Sequence, residues 1–303
     1  MAFQKILLIG STGSLGTKVL EALIANGSFE VAVLLRKALP ETPSGVTATV
    51  VDFDSADALT ASMRGQDVVI DATSAVDPQV SIRLMDAAAG AGVKRFFPSE
   101  FGADPTNSKV RSLPVFQGKE AAMRHLQKLA GEGRLSFTAI SNHAFLDWGL
   151  RTGFLNIDLA NRKVDLINDG SDRLYCTLLS SVATAVVTSI LKSEETKNRV
   201  CYIYNVFKSQ AEIAALAQEA LGAEDWQTTS TDMDKAFENA RAEWSAGRIS
   251  PQVAGDMIRY AVSAPGFAEE LEHHDNDLLN VSPLTDEELK QIIREIYLQV
   301  KAA

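Results

Sequence analysis

Two rhythms of apolar positions alternate along the first half of the chain. Lys5-Ile6-Leu7-Leu8-Ile9 is a short, nearly continuous apolar run that ends in glycine. Such a run predicts a strand buried on both faces of a parallel sheet. Leu15, Val19, Leu20, Leu23 and Ile24 then recur at helical spacing, and Asn26-Gly27 closes that segment. Further strands are predicted over 31–35, 46–51, 67–72, 94–98 and 136–141. Helices are predicted over 55–64, 78–90 and 116–129. The alternation specifies an α/β fold with a doubly wound parallel sheet.

Beyond Asn142 the pattern loosens. It still predicts strands over 173–178 and 200–206 and helices over 180–191 and 210–221. A helical region over 232–262 is interrupted near Gly247 and Pro251. Thr285-Asp286-Glu287-Glu288 opens a last helix, with threonine as N-cap and acidic residues in the first turn. The chain therefore divides into a sheet domain over 1–150 and a smaller, mainly helical C-terminal substrate domain over 151–303, which sends segments back to the first.

Composition narrows the classes. Of 303 residues, 46% are apolar and 22% charged, enough for a sizeable core and unlike a disordered chain. A net charge of −10 disfavours nucleic acid and anionic membrane as partners. Cys176 and Cys201 have no paired spacing and read as reduced, buried thiols. The opening segment lacks the pattern of a secretory signal, and no apolar run is long enough to span a bilayer. A cytoplasmic location is the expectation.

Candidate chemistry begins at Gly10-Ser11-Thr12-Gly13-Ser14-Leu15-Gly16, which follows the first strand and opens the first helix. In that context Gly10 permits a tight turn, Gly13 lets the backbone approach a pyrophosphate, and Gly16 lets helix and sheet pack closely. The helix N-terminus offers free N–H groups to the phosphates. The domain is thus expected to be of the Rossmann type. The second strand ends Leu34-Leu35-Arg36-Lys37. A carboxylate at that point would hold the ribose hydroxyl of NAD, whereas two cations suit the 2′-phosphate of NADP(H). The expected cofactor is NADPH.

These residues, with Val93-Lys-Arg-Phe-Phe-Pro-Ser-Glu-Phe-Gly102, Phe116-Gln-Gly-Lys119 and Ser141-Asn-His-Ala-Phe145, resemble the isoflavone reductase-like and NmrA-like branch of atypical short-chain dehydrogenases. The resemblance is strong over residues 3–150 and holds mainly in layout beyond. It implies an NADPH-dependent reductase that passes hydride to an electron-poor carbon of a phenolic, enone or quinone-methide-like molecule. It also implies that Lys119, the lysine of the FxxK motif, is the catalytic residue and lies beside the cofactor. The residues agree in kind: a lysine near a helix N-terminus, beside a cationic nicotinamide, has its pKa pushed down and suits acid–base work. The chain departs from the usual YxxxK pair, with Val115 in place of tyrosine, and Met123 stands where plant reductases often carry arginine.

Thr73 and Ser74, after the fourth strand, are expected along the cofactor ribose. Asn142 is expected beside the cofactor, and His143, Phe145 and Trp148 beside the substrate. Ser99 and Glu100 end the fifth strand, where a turn role and a cofactor role stay open. His273-His274-Asp275-Asn276-Asp277 crowds one loop and reads as solvated rather than metal-binding. The expected partner is a small aromatic or conjugated substrate, with a homodimer as an open alternative to a monomer. Two other functions also stay open: a non-catalytic NmrA-like sensor of NADP(H), which needs only the dinucleotide loop, and a non-redox enzyme on the same fold.

Overall fold

A computed structural model describes residues 3–74, 77–268 and 270–302. Seven strands form one parallel sheet: β1 (Lys5–Ile9), β2 (Glu30–Leu35), β3 (Thr47–Val50), β4 (Val68–Asp71), β5 (Arg95–Phe97), β6 (Ser136–Ser141) and, from much later in the chain, Arg199–Tyr202. Between them run α1 (Ser14–Asn26), α2 (Ala56–Met63), α3 (Pro78–Ala91), α4 (Ser108–Ser112) and α5 (Gln117–Gly131). This is the doubly wound α/β architecture that the alternation predicts, with the switch in winding direction between β1 and β4.

The period of two along the strands explains the layers. Ile6 and Leu8 point to one face, against Val19 and Leu23 of α1. Leu7 and Ile9 point to the other, against Leu59 and Met63 of α2, Leu84 of α3, and Leu126 and Leu129 of α5. β3 is exposed on both faces, as its place at the sheet edge allows.

The remaining elements are β7 (Ala144–Phe145), α6 (Leu146–Thr152), β8 (Ile157–Asp158), β9 (Lys163–Ile167), β10 (Arg173–Thr177), α7 (Leu179–Leu191), β11 (Arg199–Tyr202), β12 (Val206–Ser209), α8 (Gln210–Leu221), β13 (Gln227–Thr231), α9 (Met233–Ser245), α10 (Pro251–Ser263) and α11 (Asp286–Ala302). α7 closes the α1 face with Val182, Val186 and Ile190. A separate core joins α6, α8, α10 and α11 through Leu150, Ile213, Met257 and Ile293.

Two findings differ from the sequence expectation. The apolar stretch 200–206 is not one strand. β11 extends the large sheet parallel to β6, whereas β12 pairs antiparallel with β10 in a small three-stranded sheet. Between them Asn205 accepts from the Leu178 N–H at 2.8 Å and donates to the Ser282 carbonyl at 2.7 Å, turning the chain out of the large sheet. A second small sheet, β13-β9-β8, has no counterpart among the predicted elements. β8 has two residues and β13 is wholly polar, so no apolar alternation marks either; β9 does alternate over Lys163-Val-Asp-Leu166 but is only five residues long.

Candidate active site

The carboxyl ends of β1, β4, β5 and β6 lie side by side, and every candidate group near them follows one of those ends. After β1, Gly10 adopts φ +84°, and a Cβ there would stand 2.6 Å from the Ala72 carbonyl oxygen beyond β4. The Gly13 N–H donates to the Gly10 carbonyl at 3.0 Å, and the Thr17 hydroxyl donates to the Ser11 carbonyl at 3.2 Å. Gly13 is the N-cap of α1, with no side-chain cap and no acidic residue in the first turn. The N–H groups of that turn, in Ser14, Leu15 and Gly16, are left to an anion. Ser11 is buried, and its hydroxyl has no partner. Thr12 and Ser14 are exposed. An uncapped, acid-free helix start with an orphaned hydroxyl fits a dinucleotide pyrophosphate.

Arg36 and Lys37, just beyond β2, are exposed, and neither forms an ion pair among the described residues. Asp71, the last residue of β4, is fully buried. Burial pushes its carboxyl pKa up, against hydrogen bonds from the Thr73 hydroxyl at 2.6 Å and the Thr73 N–H at 3.0 Å and against the nearby Lys119 charge. Ser99, after β5, donates to the Thr73 carbonyl and ties the ends of β4 and β5 together. Ser74 is exposed.

Lys119 is half-buried in the first turn of α5. That turn is a seam between two cores. Val110, Leu113 and Phe116, just before it, are buried in the C-terminal core, and Ala122, Met123 and Leu126, just after it, in the sheet core. Gly118 brings the turn against Pro78, which opens α3; a Cβ on Gly118 would stand 3.3 Å from that ring. Two helix N-termini therefore meet beside the lysine. Burial pushes the Lys119 amine pKa down; Glu100 and Asp71 oppose the shift and Arg111 adds to it.

Asn142 is wholly buried. Its amide donates to the His143 carbonyl at 3.2 Å, and its Oδ1 has no partner. His143 holds a left-handed backbone at φ 55° and is 6% exposed, with Nε2 unpartnered. A non-glycine residue held in that region marks a site where the surroundings impose the geometry. His143 lines a cavity of about 480 Å³ with Asp104, Thr106, Lys109, Tyr202 and Phe267. The Tyr202 hydroxyl donates to Asp104 at 3.0 Å, and burial pushes its pKa up to about 12. Phe145 packs against the core under the sheet, and Trp148 lies tilted against Phe154, ring centres 5.3 Å apart, beside a different cavity. The structure therefore does not bring Phe145 and Trp148 together with His143.

Asp275 and Asn276, in the loop whose composition predicts a solvated segment, are structural instead. Asp275 pairs with Arg199 and accepts from the Tyr202 N–H at 2.9 Å; Asn276 accepts from the Tyr204 N–H at 3.0 Å. They pin the segment 270–273, one wall of the His143 cavity, to β11 and the residues after it. The walls of that cavity and the Arg111 contacts to Lys119's surroundings escaped sequence reasoning.

The sequence model of the NmrA-like family matches residues 3–224. The chain belongs to the NmrA-like family. Among curated relatives, this NmrA-like chain is similar to oxidoreductase aprR of Aspergillus flavus, 29% identical over 96% of this chain and 98% of that protein. It is also similar to bifunctional pinoresinol-lariciresinol reductase 2 of Linum usitatissimum, 29% identical over 75% of this chain and 74% of the other. Its fold is that of isoflavone reductase, with a TM-score of 0.74 at 23% identity, covering 96% of this chain and 99% of that one. It is also that of the leucoanthocyanidin reductase–NADPH complex from Vitis vinifera, with a TM-score of 0.79 at 17% identity, covering 97% and 99%. No described helix is long and apolar enough to cross a membrane.

Proposed function

We propose that this chain is an NADPH-dependent reductase of the isoflavone reductase-like branch, acting on a conjugated or aromatic small molecule of phenolic, enone or quinone-methide-like character. Bound NADPH supplies the hydride. The Gly10–Gly16 turn and the start of α1 bind the pyrophosphate, and Arg36 with Lys37 binds the 2′-phosphate. Thr73 and Ser74 border the ribose. His143 borders the substrate, which the cavity over Asp104–Lys109, 266–267 and 270–273 receives.

Lys119 orients the substrate oxygen or passes it a proton from Nζ as negative charge develops there. A half-buried lysine at the carboxyl edge of the sheet, with its amine pKa lowered, is the observation that carries this reading. A regulatory sensor would have no use for such a group.

The test is a titration of wild type and Arg36→Ala with NADPH and NADH, following nicotinamide fluorescence. NADPH affinity is expected to fall at least about tenfold in the variant, the loss of one charge-assisted contact, with NADH weak in both proteins. Equal affinity for the two cofactors removes the role given to Arg36. Binding of neither sinks the reductase reading.

A further inference from the structure

We propose that Glu100 and Arg111 are positioning residues for Lys119, forming a buried ion pair that seats the first turn of α5 and keeps the carboxylates around the lysine from capturing its amine. The proposal rests on the reading of Lys119 as the acting amine.

Glu100, beyond the end of β5, is 3% exposed, and Arg111 of α4 is 7% exposed. Their side chains pair directly. The Arg111 Nε also donates to the Pro105 carbonyl at 3.2 Å and lies 3.9 Å from Glu120, the residue after Lys119. One guanidinium thus spans the strand end, the loop after it and the helix that carries the lysine. A buried ion pair is a poor device for stability alone, because desolvation of both charges offsets their attraction. This one asks for another reason.

The surroundings of Lys119 supply it. The charged groups that act on it are Asp71 from the end of β4, Glu100 from just beyond β5 and Arg111 from α4; Glu120 is the next residue on its own helix. Each carboxylate is occupied elsewhere. Asp71 accepts from Thr73 twice and from Ser81 at 3.5 Å. Glu100 is held by Arg111, and Glu120 by Arg124 at 2.5 Å. On α3, which packs along α5, Asp86 meets His125 at 2.7 Å and Arg83 meets Asp54 at 2.8 Å. Among the described residues no hydrogen bond or ion pair reaches the Lys119 side-chain amine. Two carboxylates, Asp71 and Glu100, therefore act on a lysine that pairs with neither, and its amine is left for an incoming oxygen. The buried Arg111 Nη1 has no hydrogen-bond partner of its own, so the guanidinium is held through Nη2 and Nε alone.

Trace labelling with acetic anhydride between pH 6 and 11, with Lys119 acetylation read by mass spectrometry, tests the arrangement without any substrate. One pH unit of displacement in the amine's titration changes its reactive fraction by about tenfold. Arg111→Met releases Glu100 to the lysine, and labelling at pH 8 is expected to fall severalfold or more. Glu100→Gln leaves Arg111 unopposed, and labelling is expected to rise. The double variant removes both charges together and is expected to stay within about threefold of wild type.

Circular dichroism and NADPH binding establish that each variant folds. Should one single variant fail to fold, the other is compared with the double variant, where the expected sign is equally fixed: adding Arg111→Met to Glu100→Gln lowers labelling. Displacement of both single variants toward an ordinary surface lysine would overturn the proposal in favour of simple loosening. Profiles that coincide with wild type would overturn it as well. Loss of NADPH binding in wild type, by contrast, removes the reductase reading and leaves the labelling result standing.

Discussion

Gly16 stands directly against the backbone of Gly10: a Cβ on Gly16 would lie 2.0 Å from the Gly10 carbonyl oxygen and 2.7 Å from its carbon. Both atoms are main chain, so no side-chain rotation relieves the overlap. Gly16→Ala is therefore expected to push α1 away from the turn. The cost is about 1–3 kcal/mol of overpacking, and NADPH affinity should drop more than tenfold because the first-turn N–H groups move with the helix. Thermal unfolding and cofactor titration check both parts. A variant with unchanged affinity would separate this turn from the cofactor.

Lys119→Ala removes the amine but leaves the glycine turn, Arg36 and Lys37 in place. Acid–base groups contribute roughly 10²–10⁴-fold to turnover. We expect kcat on a conjugated phenolic acceptor to fall by at least ~100-fold, with NADPH affinity changed only a few-fold. Retained turnover takes Lys119 out of the reaction.

His143 titrates far from its usual range. Burial lowers its pKa from 6.5 to about 4, with Asp104 opposing the shift. The folded protein thus resists a proton that the unfolded chain accepts, so stability is unaffected above pH 6.5 and declines as pH falls from there to about 4. The full effect is roughly 3 kcal/mol. His143→Asn keeps a residue that tolerates the left-handed backbone and has no titrating ring. Urea unfolding at pH 7.5, 5.5 and 4.5 should show the variant losing less stability on acidification than wild type. Parallel losses in the two proteins would mean that His143 is not the group responsible.

Asp275 joins two distant segments through Arg199 and the Tyr202 N–H. Asp275→Ala leaves both donors without their acceptor, at a cost of about 1–3 kcal/mol. The segment 270–273 should then exchange its amide hydrogens faster, and KM should rise more than kcat falls. Hydrogen-exchange mass spectrometry decides the matter: unchanged protection there would assign the cavity wall to other contacts.

Much of this was legible in the chain itself. Ile6 to Ile9 declared a two-faced strand, and they feed both layers of the sheet. Gly10, Gly13 and Gly16 declared a tight turn into a helix, because only residues without a Cβ allow that approach. Such features are local, and a period or a backbone requirement writes them directly into neighbouring residues.

The partners of the side chains were not legible. Glu100 meets Arg111 and leaves Lys119 unpaired because α4 brings Arg111 to the residue beyond the end of β5, a matter of how elements stack rather than of spacing. Residues 200–206 look uniform in sequence, yet they serve two sheets because Asn205 finds partners at positions 178 and 282. The His143 cavity draws its walls from residues 104, 106–109, 202, 266–267 and 270–273. Periodicity determined the layers and the glycine turn. Tertiary packing decided which charges are neutralised and where space remains, since both depend on atoms that only the folded chain brings within a few ångströms.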